Sequence, residues 1–246
     1  MAKDNFSGNS DQYARFRPEY PENLVDFIYR LVPDPKTAWD CGTGNGQLAK
    51  LLSGKFSKVI ATDLSQDQIK NAFQAKNIEY HTQTAESADF GVQKFDLITV
   101  AQAIHWFDFE KFYDVVRKHA HQETILAVVG YGRVKINPEI DSILDKFYFE
   151  VIGSYWDKER RYVDDEYKSI PFPFDEINAP AFTIDLEWNI HHFEGYINTW
   201  SAVKHFVKAN GYNPVEGLIG EISNFWKPNE VKQVRFPILL RIGKVT

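Results

Sequence analysis

Residues 38–50, AWDCGTGNGQLAK, constrain the fold of this chain more than any other stretch. A short apolar run closes on a carboxylate, Asp40, glycines follow at 42, 44 and 46, and the helical pattern GQLAKLL begins at once. A strand, a glycine turn and a helix in that order let backbone approach a ligand where a side chain would block it, and they aim the free N–H groups of the helix start at it. GNGQLA fits the G-x-G-x-x-A form of the dinucleotide fingerprint, and Asp63 follows about 20 residues on, where an acid meets ribose hydroxyls. The glycines alone therefore leave a nicotinamide coenzyme open.

The carboxylates separate the alternatives. Asp40 closes the first strand, and Asp63 and Glu86 fall near the ends of the next ones. Together they predict an acid-lined crevice at the carboxyl edge of the sheet, the edge at which open α/β sheets bind ligands. Such a crevice disfavours a pyrophosphate and favours a nucleoside that carries positive charge. S-adenosylmethionine, with its ribose, ammonium and sulfonium, answers that description. Asp40 also has a second reading, as a buried strand-end acid satisfied by backbone N–H groups.

The same unit continues along the chain. KVIATD reads as a strand, and Ser65 with Gln68 marks the start of a helix over QDQIKNAFQAK. IEYHTQ, FDLITVAQA and TILAVVGYG read as further strands, with a helix from about Phe109 to His119 before the last. Continuous apolar strands alternating with helices imply a parallel sheet covered on both faces. The predicted fold is α/β: a doubly wound, mostly parallel, seven-stranded Rossmann-like sheet with an antiparallel terminal strand, VRFPILLRIG, and a helical or loop insertion acting as a lid. It forms a single domain over 1–246, with an arm over 1–21 and the lid over about 133–180. AFTIDLEWNI alternates as a strand with one buried face, and Tyr196, Ile197, Trp200 and Val203 mark one helix.

A net charge of -6 argues against a protein that tracks nucleic-acid phosphates. With 43% hydrophobic and 25% charged residues the chain is globular, and no apolar run reaches the roughly 20 residues of a membrane span. The start carries no apolar signal-peptide core, and the single cysteine, Cys41, is compatible with a reducing compartment, so a cytoplasmic location is expected. Cys41 reads as small buried filler rather than a nucleophile. His191 and His192, adjacent in an expected strand, point to opposite faces, and no ligand cluster suggests a metal.

WDCGTGNGQLA, ATDLS, AES and FDLITVAQAIHWFD resemble, in order, the motifs of class I S-adenosylmethionine-dependent methyltransferases. YARFRPEYP, AQAIHWFD, YVDDEYKSIPFPF and NTWSAV resemble the small-molecule branch that includes the trans-aconitate methyltransferases. That resemblance implies a cofactor site in which Gly42, Gly44 and Gly46 form the turn and Asp63 meets the ribose. Leu64 lies beside the adenine, Ala85 and Glu86 at its end, and Gln102 and His105 near the methionine half. Tyr13 and Arg17 of the arm cover the cofactor, with Arg17 meeting its carboxylate. The family often has a small aliphatic residue where Trp39 stands.

His105 and Trp106 follow the fourth strand, where the methyl group is delivered. His105 is a candidate general base with an ordinary pKa near 6.5, or a wall of the site. Trp106 is expected to line the pocket. Arg133, just past the fifth strand, is the candidate for an acceptor carboxylate, with Arg160 or Arg161 as others, and Trp200 is a further candidate for the acceptor pocket. The expected reaction is in-line methyl transfer to a small-molecule acceptor, such as a carboxylic acid, with no nucleic-acid or membrane partner. A nicotinamide oxidoreductase and a non-catalytic S-adenosylmethionine-binding protein are the alternatives. A nucleic-acid methyltransferase often carries N-P-P-[YF] after the fourth strand, where this chain has AQAIHWFD.

Overall fold

The computed structural model describes residues 15–246. A helix, α1 (Glu22–Arg30), precedes the alternating unit: β1 (Thr37–Cys41), α2 (Gln47–Ser53), β2 (Lys58–Asp63), α3 (Gln66–Lys70), β3 (Ile78–Thr82), β4 (Phe95–Ala101), α4 (Phe109–Lys118) and β5 (Ala120–Tyr131). Then come α5 (Pro138–Lys146), a set of short turns, α6 (Arg161–Asp164), β6 (Asp175–Glu176), β7 (Thr183–Asn189), α7 (Ile190–Asn198), α8 (Ser201–Asn210), α9 (Val215–Ile222) and β8 (Val231–Lys244).

The sheet runs β3-β2-β1-β4-β5-β8-β6, with β7 also paired to β8. β1 to β5 are parallel, and β8 lies antiparallel to β5, β6 and β7. The seven expected strands are joined by an eighth, β6, of two residues. β8 serves two neighbours in succession: Val231–Pro237 pairs with β7 and Ile238–Lys244 with β5. From β1 the chain winds outward through β2 and β3, then returns to lay β4 on the other side of β1. This reversal leaves a crevice beyond the carboxyl ends of β1 and β4.

Both faces of the sheet are buried along β1, β2, β4 and most of β5, whose residues are largely apolar, while β3 and β7 stay partly exposed. Along β5, Ile125, Ala127, Val129 and Tyr131 face one core and Leu126 and Val128 the other, the two-residue period of a strand. Trp39 is fully buried on the second side, where its ring meets Phe90 edge-on at 5.1 Å and its Nε1–H donates to Thr62 Oγ1 at 2.9 Å. The bulk that departs from the family's usual small residue is thus accommodated beneath β2.

Helix starts follow their capping residues. Asp108 accepts from Lys111 N, Asn137 from Ile140 N with Pro138 in the first turn, and Asn189 from His192 N. Ser65 caps α3 as expected, yet that helix ends at Lys70, well short of the run to Lys76. The one helix expected around Tyr196 and Val203 is two, broken at Trp200, whose ψ of 135° is extended. His191 and His192 lie in the first turn of α7 rather than in a strand. Its Asn189 cap ends β7 one residue before the apolar alternation does, so Ile190 opens the helix.

Candidate functional site

The loop after β1 turns through three left-handed glycines, Gly42 (φ 69°), Gly44 (φ 56°) and Gly46 (φ 80°). Gly42 N and Thr43 N both donate to Thr62 O, at 2.8 and 2.9 Å, which ties the loop to β2. The glycines do different work. A Cβ on Gly44 would meet nothing nearer than 3.9 Å, so this is the face on which a ligand can rest against bare backbone. A Cβ on Gly46 would overlap the Tyr80 hydroxyl, which is itself engaged by Phe73 O at 2.5 Å. Gly46→Ala is therefore expected to destabilise the fold by about 1–2 kcal/mol through strain at a positive φ, read as a lower urea midpoint.

Asp63, at the end of β2, organises the loop. Its Oδ2 accepts from Gly44 N and its Oδ1 from Ser65 N, both at 2.8 Å. A carboxylate oxygen can accept more than one hydrogen bond. Asp63, Gly42, Gly44, Arg17, Gln102 and Trp106 line one cavity. Asp63, Leu64, Ala85, Glu86, Trp106 and Phe107 line a second, and the two share Gly42, Asp63, Ala103 and Trp106, so they form one continuous cleft. Glu86 accepts from Asp108 N at 3.0 Å, and Leu64 leaves 39% of its surface open on the cleft. Gln102 holds φ 54° without being glycine, and its Nε2 donates to Tyr131 O at 3.1 Å. A left-handed backbone at such a residue is uncommon and concentrates at ligand sites.

A third cavity opens past Gln102 and Trp106. Among the described residues Arg17, Arg160 and Lys204 line it with one carboxylate, Asp157, and His105, Trp156, Thr199 and Ser201 stand in its wall. Arg160 Nε donates to Tyr148 Oη at 2.8 Å, Tyr148 in turn donates to Asp164 Oδ1 at 2.6 Å, and the guanidinium lies 4.8 Å from the centroid of Trp156. The stack and the hydroxyl fix the plane of the guanidinium.

Several expected roles change. Asp40 lines no part of the cleft: it is fully buried beneath the loop, accepting from Thr43 Oγ1 at 2.6 Å and Thr99 Oγ1 at 2.7 Å. Burial raises its pKa to about 6 against the opposing effect of the two hydroxyls. The acid-lined crevice thus rests on Asp63 and Glu86. Arg133 turns away from the third cavity to pair with Asp145, its guanidinium between the rings of Tyr148 and Phe149. Trp200 is core, packed edge-on against Tyr148 and Tyr196.

His105 does lie at the site, but not with ordinary basicity. Burial, reinforced by the Arg160 charge, lowers its pKa to about 3, and its Nδ1 sits 3.3 Å from Tyr167 Oη. It is a neutral wall residue at physiological pH. Gly46 supports the loop from behind. Tyr13 lies outside the described residues. Trp156, Asp157 and Lys204 lie in none of the motifs quoted above, Thr199 and Ser201 fall within NTWSAV, and the five come together from two separate stretches, 156–157 and 199–204. Among the described residues no group of three or more His, Cys, Asp or Glu is arranged to hold a metal, and no helix is long and apolar enough to cross a membrane.

Residues 39–128, the strands and helices that build the cleft, match the family model described as a methyltransferase domain. A Dictyostelium discoideum protein described as a methyltransferase is 32% identical over 98% of this chain and 95% of its own length. An Anaeromyxobacter dehalogenans structure described as a type II methyltransferase is 33% identical, with a TM-score of 0.87 over 94% of this chain and 98% of that one. A Bacillus halodurans structure, at 16% identity and TM-score 0.51, shares the fold. The glycine cradle, the acid at the end of β2 and full-length likeness to these relatives lead to one conclusion: the chain belongs to the class I S-adenosylmethionine-dependent methyltransferases.

Proposed function

We propose that this methyltransferase transfers its methyl group in line to a small organic acid bound in the third cavity. The observation that carries the reading is the charge of that cavity, three cations against one carboxylate among the described residues. The motifs shared with the small-molecule branch that includes the trans-aconitate methyltransferases support it. S-adenosylmethionine, when bound, supplies a methyl group already activated by its sulfonium.

The continuous cleft fits that cofactor in its polarity and in its open cradle at Gly44. In this reading Asp63 holds the ribose hydroxyls, Leu64 and Ala85 face the adenine and Glu86 receives its edge. Gln102 and Arg17 hold the methionine end, Arg17 through its carboxylate. Trp106 forms the wall common to all three cavities, where the two reactants meet. Residues 133–180 act as the lid, supplying Trp156, Asp157 and Arg160. Desolvation and alignment are the main tasks left to the protein. An acid acceptor is already ionised at neutral pH and needs no base, which agrees with a His105 too weakly basic to take a proton.

Methyl release measured against carboxylic acids, phenols and amines tests the proposal. Turnover is expected with acids, and Arg160→Ala should lower kcat/KM for them about 10–30-fold, as for a lost charge-assisted hydrogen bond. Its affinity for S-adenosylhomocysteine should stay as in the wild type, since Arg160 does not line the cofactor cleft. Turnover confined to phenols or amines would overturn the acid assignment.

A further inference from the structure

The ring of Phe16 rests on helix α7 at the one point where that face of the helix has no side chain. A Cβ on Gly195 would come within 2.4, 2.6 and 2.7 Å of three atoms of the Phe16 ring, closer than packed atoms approach. Gly195 lies inside α7 and its φ is not positive, so its backbone conformation does not call for glycine. Glycine is also the poorest helix former after proline. The close approach of Phe16 is what accounts for it.

His192, Gly195, Tyr196 and Thr199 recur at intervals of three and four residues, the spacing of a single helical face. The arm runs along that face. Phe16 meets His192 edge-on at 5.3 Å and seats on Gly195. One residue on, the guanidinium carbon of Arg17 lies 5.3 Å from the centroid of Tyr196, its Nη2 points at Thr199 O at 3.5 Å, and its Nη1 donates to Tyr131 Oη at 3.1 Å. Arg17 and Tyr20, both on the arm, line the cofactor cleft, whereas neither Phe16 nor Gly195 lines any of the three cavities. Phe16 and Arg17 are consecutive, and close-packed contacts transmit displacement. A Cβ at position 195 that lifts the ring therefore carries Arg17 away from Tyr196 and Thr199.

We propose that Gly195 is a positioning residue for the cofactor: by admitting Phe16 against α7 it seats the arm so that Arg17 meets the carboxylate of S-adenosylmethionine, without itself touching the ligand. The inference rests on the placing of Arg17 at that carboxylate in the reading above, and it adds the contact that holds the arm there.

Calorimetric titration of the full chain with two ligands tests this without turnover. S-adenosylhomocysteine keeps the amino-acid end of the cofactor, and methylthioadenosine keeps the adenosyl group and the sulfur but has no carboxylate. Gly195→Ala should raise the Kd for S-adenosylhomocysteine about 5–20-fold, part of what a charge-assisted contact contributes, and leave the Kd for methylthioadenosine unchanged. Phe16→Ala removes the same contact from the other side and should reproduce the pattern. Gly195→Ala added to it should cost nothing further, since the Cβ then has no ring to displace. Arg17→Ala, the reference, should weaken S-adenosylhomocysteine at least as much as Gly195→Ala does. Wild-type affinity for S-adenosylhomocysteine in Gly195→Ala, beside a loss in Arg17→Ala, would overturn this inference alone, as would equal losses of the two ligands. Wild-type affinity in Arg17→Ala would overturn the placing of Arg17 and this inference with it.

Discussion

Replacing Asp63 with alanine is expected to weaken S-adenosylmethionine binding by about 2–3 kcal/mol, or roughly 30–150-fold, the range for losing hydrogen bonds to a charged acceptor. Two effects combine. The ribose hydroxyls lose their carboxylate, and Gly44 N and Ser65 N lose the oxygens that hold them at 2.8 Å. The cradle and the turn into α3 are released together, so the loss exceeds that of a single ligand contact. Asp63→Asn separates the two effects. It retains one acceptor oxygen, but its NH2 must face either a backbone N–H or the ribose, so the affinity should fall between those of wild type and alanine. Isothermal titration with S-adenosylhomocysteine measures both variants. An affinity unchanged in Asp63→Ala would remove the residue from the cofactor site.

The second large effect is a dependence of stability on pH that originates in Asp40. Its folded pKa of about 6 lies above the ordinary carboxyl value of 3.8, mainly because burial penalises the charged form. The folded state thus holds this proton more tightly than the unfolded state does. Stability from this group is full below pH 3.8, declines as pH rises and is lost above about pH 6. A gap of roughly two units corresponds to about 3 kcal/mol in total, and about 1 kcal/mol of it falls between pH 5 and pH 7.5. Asp40→Asn keeps the shape and removes the titration. Urea unfolding at the two pH values should show wild type losing about 1 kcal/mol more than the variant as pH rises. Parallel losses in the two proteins would show that Asp40 does not carry the effect.

The fold was readable where the sequence is periodic. Apolar runs broken by helical spacing gave the parallel strands and their alternation, and the glycines with Asp63 marked the crevice because a close backbone approach and a ribose acid restrict residue type. The acceptor side was not readable in that way. Arg133 follows β5 directly and looked well placed, but the direction of a side chain after a strand end depends on what packs there, and Asp145 and two aromatic rings draw it away. Arg160, which the sequence offers only as an alternative to Arg133, is held against Trp156. Lys204 and Thr199 reach the same cavity from another part of the chain. Burial was equally hidden: neither the proton retained by Asp40 nor the one refused by His105 follows from the residues beside them in sequence.

The double pairing of β8 bears on how the molecule is assembled. β8 leaves the ribosome after β5 and β7, both of which it stitches together. Until it arrives, β5 offers an unpaired edge of eight consecutive residues that are all buried in the finished protein, Thr124–Tyr131. Such an edge is a template for intermolecular strand addition. The nascent chain is therefore most vulnerable to aggregation between the emergence of β5 and that of β8, with its nucleotide cradle already made and one border of the sheet still open.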